Sequence, residues 1–227
     1  MWDHWNVPVC DYDPSGEYDN VVSFVADFYH SKETTRVHCD RFHPGVHSST
    51  LLADTTVRFL QEYSGEAPFF CYTAFLAPHD PRTMPRYCKA LYQDREVTLP
   101  ENFMECYPVA YGDRQLRDEQ LAPYPRTPER MKAELIDYYA MITHLDHEIG
   151  RILDTLVDRG LADDTLIVLC GDNGLGLGSH AFMGKQNHFE HSIKVPLLFS
   201  GPGIPKGHTV DAKVFLHDIY PTLCDML

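Results

Sequence analysis

The chain has 227 residues, 44% of them hydrophobic, and it carries 19 basic against 33 acidic side chains for a net charge of −14. This length and apolar content suffice for a real core, so the composition is that of a globular protein. The negative charge repels polyanions, so we expect neither nucleic acid nor an anionic membrane surface as a partner, and a cation is the more natural one.

The seven cysteines include no C-x-x-C pair, which argues against a zinc knuckle and a dense disulfide scaffold and leaves the compartment open. No run of about 18 apolar residues occurs, and the first residues lack the basic and apolar regions of an export signal. The first twenty residues read as a polar loop, and VFLHDIYPTLCDML has helical spacing but ends without a cap. We therefore expect a piece of a longer protein.

The first regular elements are predicted between residues 48 and 77. Apolar residues at helical spacing predict a helix from Ser48 to Tyr63, with Ser48 or Ser49 as its cap. The continuous apolar run PFFCYTAFLA, from Pro68 to Ala77, is typical of a strand buried on both faces. The prolines of the following segment PHDPRTMP exclude a regular ladder there.

Residues 86–127 show no sustained period, so an irregular excursion with short helices at best is expected. The sequence Thr127-Pro128-Glu129 then begins a helix with a cap, a proline at the first position and an acid in the first turn. Apolar residues recur at steps of three and four from Leu135 to Leu156, and Gly160 supplies the stop.

Two further strands are predicted, TLIVLC at 165–170 and IKVPLLFS at 193–200, joined by a glycine-rich loop. Helix, strand, loop and strand in this order favour a parallel sheet with crossover connections. Ligands of such sheets gather beyond the carboxyl ends of the strands. The segments Pro78-His79 and Gly171-Asp172-Asn173 both fall at such ends.

The glycine run Gly174–Gly178 invites a nucleotide-binding interpretation, which its spacing argues against. A dinucleotide fingerprint needs G-x-G-x-x-G opening a helix, whereas here the third glycine comes one place early. The sequence argues more strongly still against a phosphate-binding P-loop, because the glycine before Lys185 has no partner five places earlier and Gln186 replaces the required Ser or Thr.

Asp172 and Asn173 offer oxygen ligands, which Ca²⁺ and Mg²⁺ demand, although Asp-Asn-Gly alone is also a common turn. Lys185 is either a solvated charge or a fixed cation for an anionic oxygen. His79, between two prolines, is either a structural histidine or a proton donor or anion contact. The histidines His30, His38, His43 and His47 have no spacing that defines a site.

The sequence resembles the sulfatase family of the alkaline-phosphatase-like superfamily. The resemblance rests on PFFCYTAFLAPHDP, on YYAMITHLDHEIGRILDTLVDRGLADDTLIVLCGDNG, on GSHAFMGKQNHFEHSIKVPLLFSGPGI and on DIYPTL, which follow one another in family order. It implies a three-layer α/β sandwich with a central, mostly parallel sheet, incomplete at both ends. Residues 1–227 would form one partial catalytic domain, with 86–127 as an insertion.

The resemblance also implies roles for individual residues. Asp172 and Asn173 match a pair of metal ligands, normally for Ca²⁺ with Mg²⁺ as the alternative, and Lys185 and His79 match residues that contact the sulfate. His180 is the further substrate-binding candidate. Glu190 and Lys194 match positions that support the loop. Family members attack sulfur with the hydrate of a formylglycine that is made from cysteine or serine.

Some family features do not occur in this sequence. The nucleophile segment C-x-P-x-R or its serine form is not found, and Cys106-Tyr107-Pro108 is an out-of-order imitation without the arginine. Asp163-Asp164 is the only pair of adjacent aspartates, but it precedes its strand instead of following it. We therefore expect a fragment that lacks the nucleophile and half the metal site and is inactive alone.

Three functions follow from the sequence in order of preference. The first is a metal-dependent sulfuric ester hydrolase, in the full-length parent, acting on a sulfated small molecule or glycan. The second is a phosphonate or phosphate ester hydrolase of the same superfamily. The third is a non-catalytic paralogue that binds a ligand.

Overall fold

The computed structural model describes residues 18–19, 46–80, 82–109 and 113–227. The chain divides into two compact units. Unit 1 comprises Met1–Thr98 and Lys132–Gly160, and unit 2 comprises Leu99–Met131 and Leu161–Leu227. Among the described residues, no helix combines the length and the apolar character needed to span a bilayer.

Unit 1 is mainly helical. Its elements are β1 (Tyr18–Asp19), α1 (Ser48–Glu62), β2 (Met84–Pro85), α2 (Arg86–Ala90) and most of α3 (Pro128–Asp158), and β1 pairs with β2 in antiparallel fashion. Apolar side chains of α2, α3 and the segments before them form a core, because each of these helices has only one apolar face to bury. Its buried members are Ala77, Met84, Cys88, Ala140 and Met141.

The structure confirms helix α1 but corrects its cap. The helix begins at Ser48, as its apolar spacing predicts, yet neither predicted serine caps it. His47 takes that place, because its Nδ1 atom accepts a hydrogen bond from the backbone N–H of Ser49 at 3.1 Å. A histidine in this position is structural, whereas His30, His38 and His43 lie outside the described residues.

The structure also confirms the long helix α3 and both of its boundary signals. At the start, the Thr127 hydroxyl accepts a hydrogen bond from the backbone N–H of Arg130 at 3.3 Å. At the other end, Gly160 has a φ of +67°, the left-handed conformation in which glycine most readily ends a helix.

The predicted strand at Pro68–Ala77 is wrong, because these residues form no ladder with any described strand. One face of this segment packs on α1, where the Thr73 and Thr56 hydroxyls are 2.8 Å apart and Phe69 meets Phe59 edge-on. The other face is open, and Phe70 is 80% exposed and Tyr72 69% exposed. The continuous apolar run predicted burial on both faces of this segment. The described residues cover only one of them.

Unit 2 contains the strands β3 (Ile167–Cys170) and β4 (Leu197–Ser200) and the helices α4 (Glu190–Ile193) and α5 (Ile219–Met226). The two strands pair antiparallel, with Ile167 opposite Ser200 and Cys170 opposite Leu197. The expectation of parallel pairing is therefore wrong for these strands. A parallel return needs a crossover, usually a long helix, and the only helix between β3 and β4 has four residues.

The segment 86–127 has the irregular character that its composition predicts. Besides α2, it contains only short 3₁₀ helices at Asp113–Gln115 and Asp118–Leu121 among its described residues. Part of it lies beside the glycine-rich loop of unit 2, where Phe103 forms an antiparallel bridge with Ser179.

Candidate functional site

Asp172 and Asn173 follow the carboxyl end of β3, as the sequence predicts. The Asp172 side chain is exposed, and its Oδ1 atom accepts a hydrogen bond from the backbone N–H of Asn173 at 2.9 Å. The next backbone N–H, that of Gly174, donates to the Ser192 carbonyl at 2.9 Å. The pair therefore lies in a turn that is fixed to the segment before β4 and presents its oxygens at one end of the strand.

The chemistry of this pair fits part of a site for a hard cation. A carboxylate and an amide oxygen suit Ca²⁺ or Mg²⁺, but Ca²⁺ takes six to eight oxygen ligands and two residues do not supply them. In the part of the chain that the structure describes, no group of three or more His, Cys, Asp or Glu side chains could hold a metal. Further metal ligands would have to come from residues other than Asp172 and Asn173. Asp163 and Asp164 lie in a 3₁₀ helix before β3 and so at its opposite end.

The loop after Asn173 brings its backbone close to the chain beyond residue 181, and glycine allows this approach. A Cβ atom at Gly176 would lie 2.5 Å from the Phe182 carbonyl oxygen, and one at Gly174 would collide with the His191 carbonyl. The backbone N–H of Gly176 also donates to the Gly184 carbonyl at 3.0 Å. The glycines thus connect the candidate metal ligands to the segment before Lys185.

His180 is held by an aromatic ring and by an asparagine. Its imidazole stacks on Phe189 with a centroid distance of 4.3 Å. Its Nε2 atom is 3.0 Å from the Asn102 side-chain nitrogen, and its backbone N–H donates to the Asn102 carbonyl at 2.9 Å. The residue has a φ of +53°, which is uncommon for a residue other than glycine. His180 is therefore anchored to the segment around Asn102 as well as to its own loop.

His191 lies beside His180, with 6.1 Å between their ring centroids. Both of its ring nitrogens are buried and have no hydrogen-bond partner. Burial, together with the charge of His180, lowers the pKa of His191 to about 4. A neutral imidazole therefore fills this place at neutral pH.

Lys185 is half-buried, and the residues on either side of it are fixed by a buried acidic pair. Glu119 accepts hydrogen bonds from the backbone N–H groups of Met183 and Gly184, at 3.0 and 2.8 Å. Asp118 accepts one from the Gln186 side chain at 2.7 Å. Sequence analysis missed both acids, because they lie in an irregular segment where no period indicates which side chains are buried.

His79 lies in unit 1, whereas Asp172, Asn173, His180 and Lys185 all lie in unit 2. The His79 side chain is 38% exposed, and its Nδ1 atom is 2.7 Å from the backbone oxygen of Asp80 and 3.2 Å from its carboxylate. Of the two supporting residues, Glu190 begins α4, and its backbone carbonyl accepts a hydrogen bond from the Lys194 backbone N–H at 2.8 Å.

Comparison with known proteins gives a consistent result. The family model described as Sulfatase matches residues 3–227. The chain is 32% identical to a sulfatase from Formosa agariphila over 74% of its length, and 34% identical to choline-sulfatase from Rhizobium meliloti over 70%. It is also 32% identical to human N-sulphoglucosamine sulphohydrolase over 74% of its length.

Two solved structures share the fold. One is a candidate sulfatase from Bacteroides fragilis, with a TM-score of 0.66 and 23% identity over 82% of this chain and 38% of the other. The other is the phosphonate monoester hydrolase of Agrobacterium radiobacter, with a TM-score of 0.65 and 28% identity over 78% of this chain and 38% of the other. The chain covers 34%, 31% and 33% of the Formosa, Rhizobium and human relatives, respectively.

Proposed function

The chain belongs to the sulfatase family of the alkaline-phosphatase-like superfamily, and from this premise we propose that the protein hydrolyses a sulfate ester with the help of a divalent cation. The observation that carries the proposal is the arrangement in unit 2. One loop, fixed at both ends, bears two oxygen ligands after β3 and then a half-buried lysine.

We propose that Asp172 and Asn173 contribute to a cation site, with Ca²⁺ as the first choice and Mg²⁺ as the second. Their oxygen donors support this role, and so does their place beyond the carboxyl end of a strand, where the ligands of α/β sheets gather. The cation, when bound, would neutralise charge on the sulfate oxygens, and a formylglycine hydrate would supply the attacking oxygen.

We propose that three side chains of this chain bind the sulfate group. Lys185 would supply a fixed positive charge to an anionic oxygen, and this charge also stabilises the negative charge that develops as the ester bond breaks. His180, oriented by Phe189 and Asn102, and His79 would donate hydrogen bonds to the remaining oxygens. The departing alcohol needs a proton, for which either histidine is chemically suited.

The proposed substrate is a sulfated small molecule or a sulfated glycan. The names of two relatives, choline-sulfatase and N-sulphoglucosamine sulphohydrolase, support these two classes. We further propose that residues 1–227 form part of a three-layer sandwich whose sheet is mostly parallel, with the antiparallel pair β3 and β4 as an exception within it.

The similarity to a phosphonate monoester hydrolase supports a second candidate function. Phosphonate and phosphate esters present the same tetrahedral, anionic oxygens as sulfate esters, so the same cation site and lysine would serve them. Charge distinguishes a sulfate monoester, which carries one negative charge, from a phosphate monoester, which carries up to two. A phosphonate monoester carries one negative charge like the sulfate, so the relative turnover of the two esters has to separate those classes.

The test compares two substrates on the full-length protein that carries this chain. Release of 4-nitrophenol is measured from the aryl sulfate and from the aryl phenylphosphonate, with added Ca²⁺, for wild type, Lys185→Ala and Lys213→Ala. We expect faster turnover of the sulfate ester and a loss of about 10²-fold or more in Lys185→Ala only. The exposed Lys213 serves as the matched control.

Faster turnover of the phosphonate would favour the second candidate. No turnover of either ester, with Ca²⁺ binding retained, would favour the ligand-binding paralogue. Equal rates for Lys185→Ala and wild type would refute the role of the lysine.

A further inference from the structure

A buried carboxylate holds the backbone directly before Lys185. Glu119 is 2% exposed, and its two oxygens accept hydrogen bonds from consecutive backbone N–H groups, those of Met183 and Gly184. A carboxylate shared between two neighbouring amides fixes both peptide planes, because each bond has its own direction. The backbone orientation at the start of Lys185 is thereby set from outside its own loop.

A fully buried arginine completes this arrangement. The Arg126 guanidinium donates to the Glu119 carboxylate at 2.8 Å and to the Ala181 carbonyl at 3.2 Å, and it lies 3.8 Å from the Tyr124 ring centroid. The arginine therefore compensates the buried carboxylate and contacts the lysine loop at a second point. Arg126 is 0% exposed, so both charges have been taken out of water.

Stability alone gives a weak reason for such a pair. Removing two charges from water costs about as much as their attraction returns, and apolar residues of similar volume often stabilise a core as well or better. The ion pair instead fixes the backbone, because it forms hydrogen bonds at Ala181, Met183 and Gly184 together. Apolar side chains could not form these bonds.

Asp118 acts on the other side of the lysine. Its Oδ2 atom accepts a hydrogen bond from the Gln186 side chain at 2.7 Å, and the Gln186 Oε1 atom accepts one from the Lys185 backbone N–H at 3.3 Å. Burial on its own raises the pKa of Asp118, but bonds from Gln186 and Arg117 and the charges of Arg117 and Lys185 outweigh this and lower it. Asp118 is therefore an anion that faces the lysine segment.

Glycine at position 184 is required by this contact. A Cβ atom there would lie 2.6 Å from the Asp118 Cβ and 3.1 Å from a Glu119 carboxylate oxygen. Only a residue without a side chain allows the two acids to approach the backbone next to Lys185 this closely.

We propose that Glu119 and Asp118 are positioning residues for Lys185, and that Arg126 holds the Glu119 carboxylate in place. The proposal rests on the sulfate-binding role proposed for Lys185. In this arrangement the acids act by fixing where the lysine side chain starts, and Asp118 also interacts with the lysine through its charge.

The first test is made on the 227-residue chain by NMR and mass spectrometry. Glu119→Gln keeps the shape of the side chain but replaces one acceptor oxygen with a donor nitrogen. Its matched control is Glu134→Gln, which breaks the buried pair of Glu134 with Arg82 in unit 1. Amide hydrogen exchange is measured at Met183 and Gly184, and acylation of the Lys185 amine is measured relative to Lys213.

We expect exchange at Met183 and Gly184 to accelerate about tenfold or more in Glu119→Gln, because a bond to a charged acceptor is lost. The acylation rate of Lys185 should change in the same variant and stay at the wild-type value in Glu134→Gln. Equal exchange and acylation in the two variants would overturn the proposal. If Glu119→Gln does not fold, Asp118→Asn decides, and an unchanged acylation rate at Lys185 overturns the proposal.

The second test separates this inference from the proposed function. In the full-length protein, Glu119→Gln should lower kcat/KM for an aryl sulfate about tenfold or more, while Glu134→Gln should not. A wild-type kcat/KM in Glu119→Gln would overturn the positioning role. If wild type hydrolyses no sulfate ester, the proposed function fails, while the exchange and acylation rates still decide whether the acids hold the lysine segment.

Discussion

His47 makes the stability of this protein sensitive to acid through a change that a single substitution can isolate. The side chain is 1% exposed, its Nδ1 atom accepts the Ser49 N–H, and its Nε2 atom lies 3.0 Å from the Thr83 carbonyl oxygen. Only the neutral imidazole with its proton on Nε2 satisfies both contacts. A proton on Nδ1 would face the Ser49 N–H and remove the cap of α1.

The magnitude follows from the pKa of this histidine. Burial, followed by the positive charge of His144, lowers the pKa of His47 from 6.5 to about 4, although the hydrogen bond to Thr83 and the charge of Glu148 oppose the shift. Between these two pKa values the unfolded chain binds a proton that the folded chain rejects, so stability falls as the pH falls. From pH 7 to pH 4 the loss from His47 alone is about 3 kcal/mol.

The assay is urea denaturation followed by far-UV circular dichroism at several pH values, on wild type and on His47→Asn. Asparagine retains an acceptor for the Ser49 N–H but does not titrate. Losing the contact with Thr83 lowers the stability of the variant by about 1 kcal/mol at every pH. Titrating groups that do not interact with His47, His191 among them, contribute equally to both proteins and cancel in the difference.

The free energy of unfolding of wild type, minus that of the variant, should therefore fall by about 3 kcal/mol between pH 7 and pH 4. A difference that stays constant over this range would refute the reasoning, because it would mean that His47 accepts a proton in the folded state as readily as in the unfolded state.

Two further predictions use matched pairs of substitutions and the same denaturation measurement. Gly176→Ala places a Cβ atom 2.5 Å from the Phe182 carbonyl oxygen and should cost about 1–3 kcal/mol, whereas Gly150→Ala, in open space within α3, should gain about 0.5–1 kcal/mol. Losses of equal size would contradict the close approach of the loop. Met141→Ala empties a core position that is 1% exposed and should cost about 2–5 kcal/mol, while Val157→Ala, at a position 65% exposed, should change stability by less than about 0.5 kcal/mol. Similar effects at the two positions would show that the core is not where the structure has it.

Local signals in the sequence predicted the helices well. Helices α1 and α3 follow from apolar residues three and four positions apart, a pattern that depends only on nearby residues. Thr127 and Gly160 mark the ends of α3 for the same reason, since capping is a short-range interaction. The position of Asp172 after β3 could also be predicted, because an apolar run followed by Asp-Asn-Gly indicates a strand and then a turn.

Long-range pairing was harder to predict. The direction of β4 against β3 depends on the path of the loop between them, and no periodicity encodes that path. The run at residues 68–77 is apolar enough for a buried strand, but only neighbouring segments decide whether it becomes one. His47 as a cap escaped prediction because histidine is an unusual residue there.

For the candidate site, the residue types indicated which side chains carry the chemistry. They did not indicate which buried side chains hold the loop in place. Asp172, Asn173 and Lys185 are recognisable by type and by position in the loop. Glu119 and Arg126 are not, because the burial of a charged side chain in an irregular segment depends on contacts that only the fold creates.

The most direct test of the central claim is the dependence of sulfate ester hydrolysis on Asp172. Turnover of an aryl sulfate by the full-length protein is compared for wild type, Asp172→Ala and Asp163→Ala, each titrated with Ca²⁺. Asp163 is the matched control, since it is exposed and lies before β3 whereas Asp172 follows it. We expect kcat/KM to fall about 10²-fold or more in Asp172→Ala and to stay near the wild-type value in Asp163→Ala. Equal turnover and equal Ca²⁺ dependence in all three proteins would contradict the claim that Asp172 belongs to a catalytic metal site.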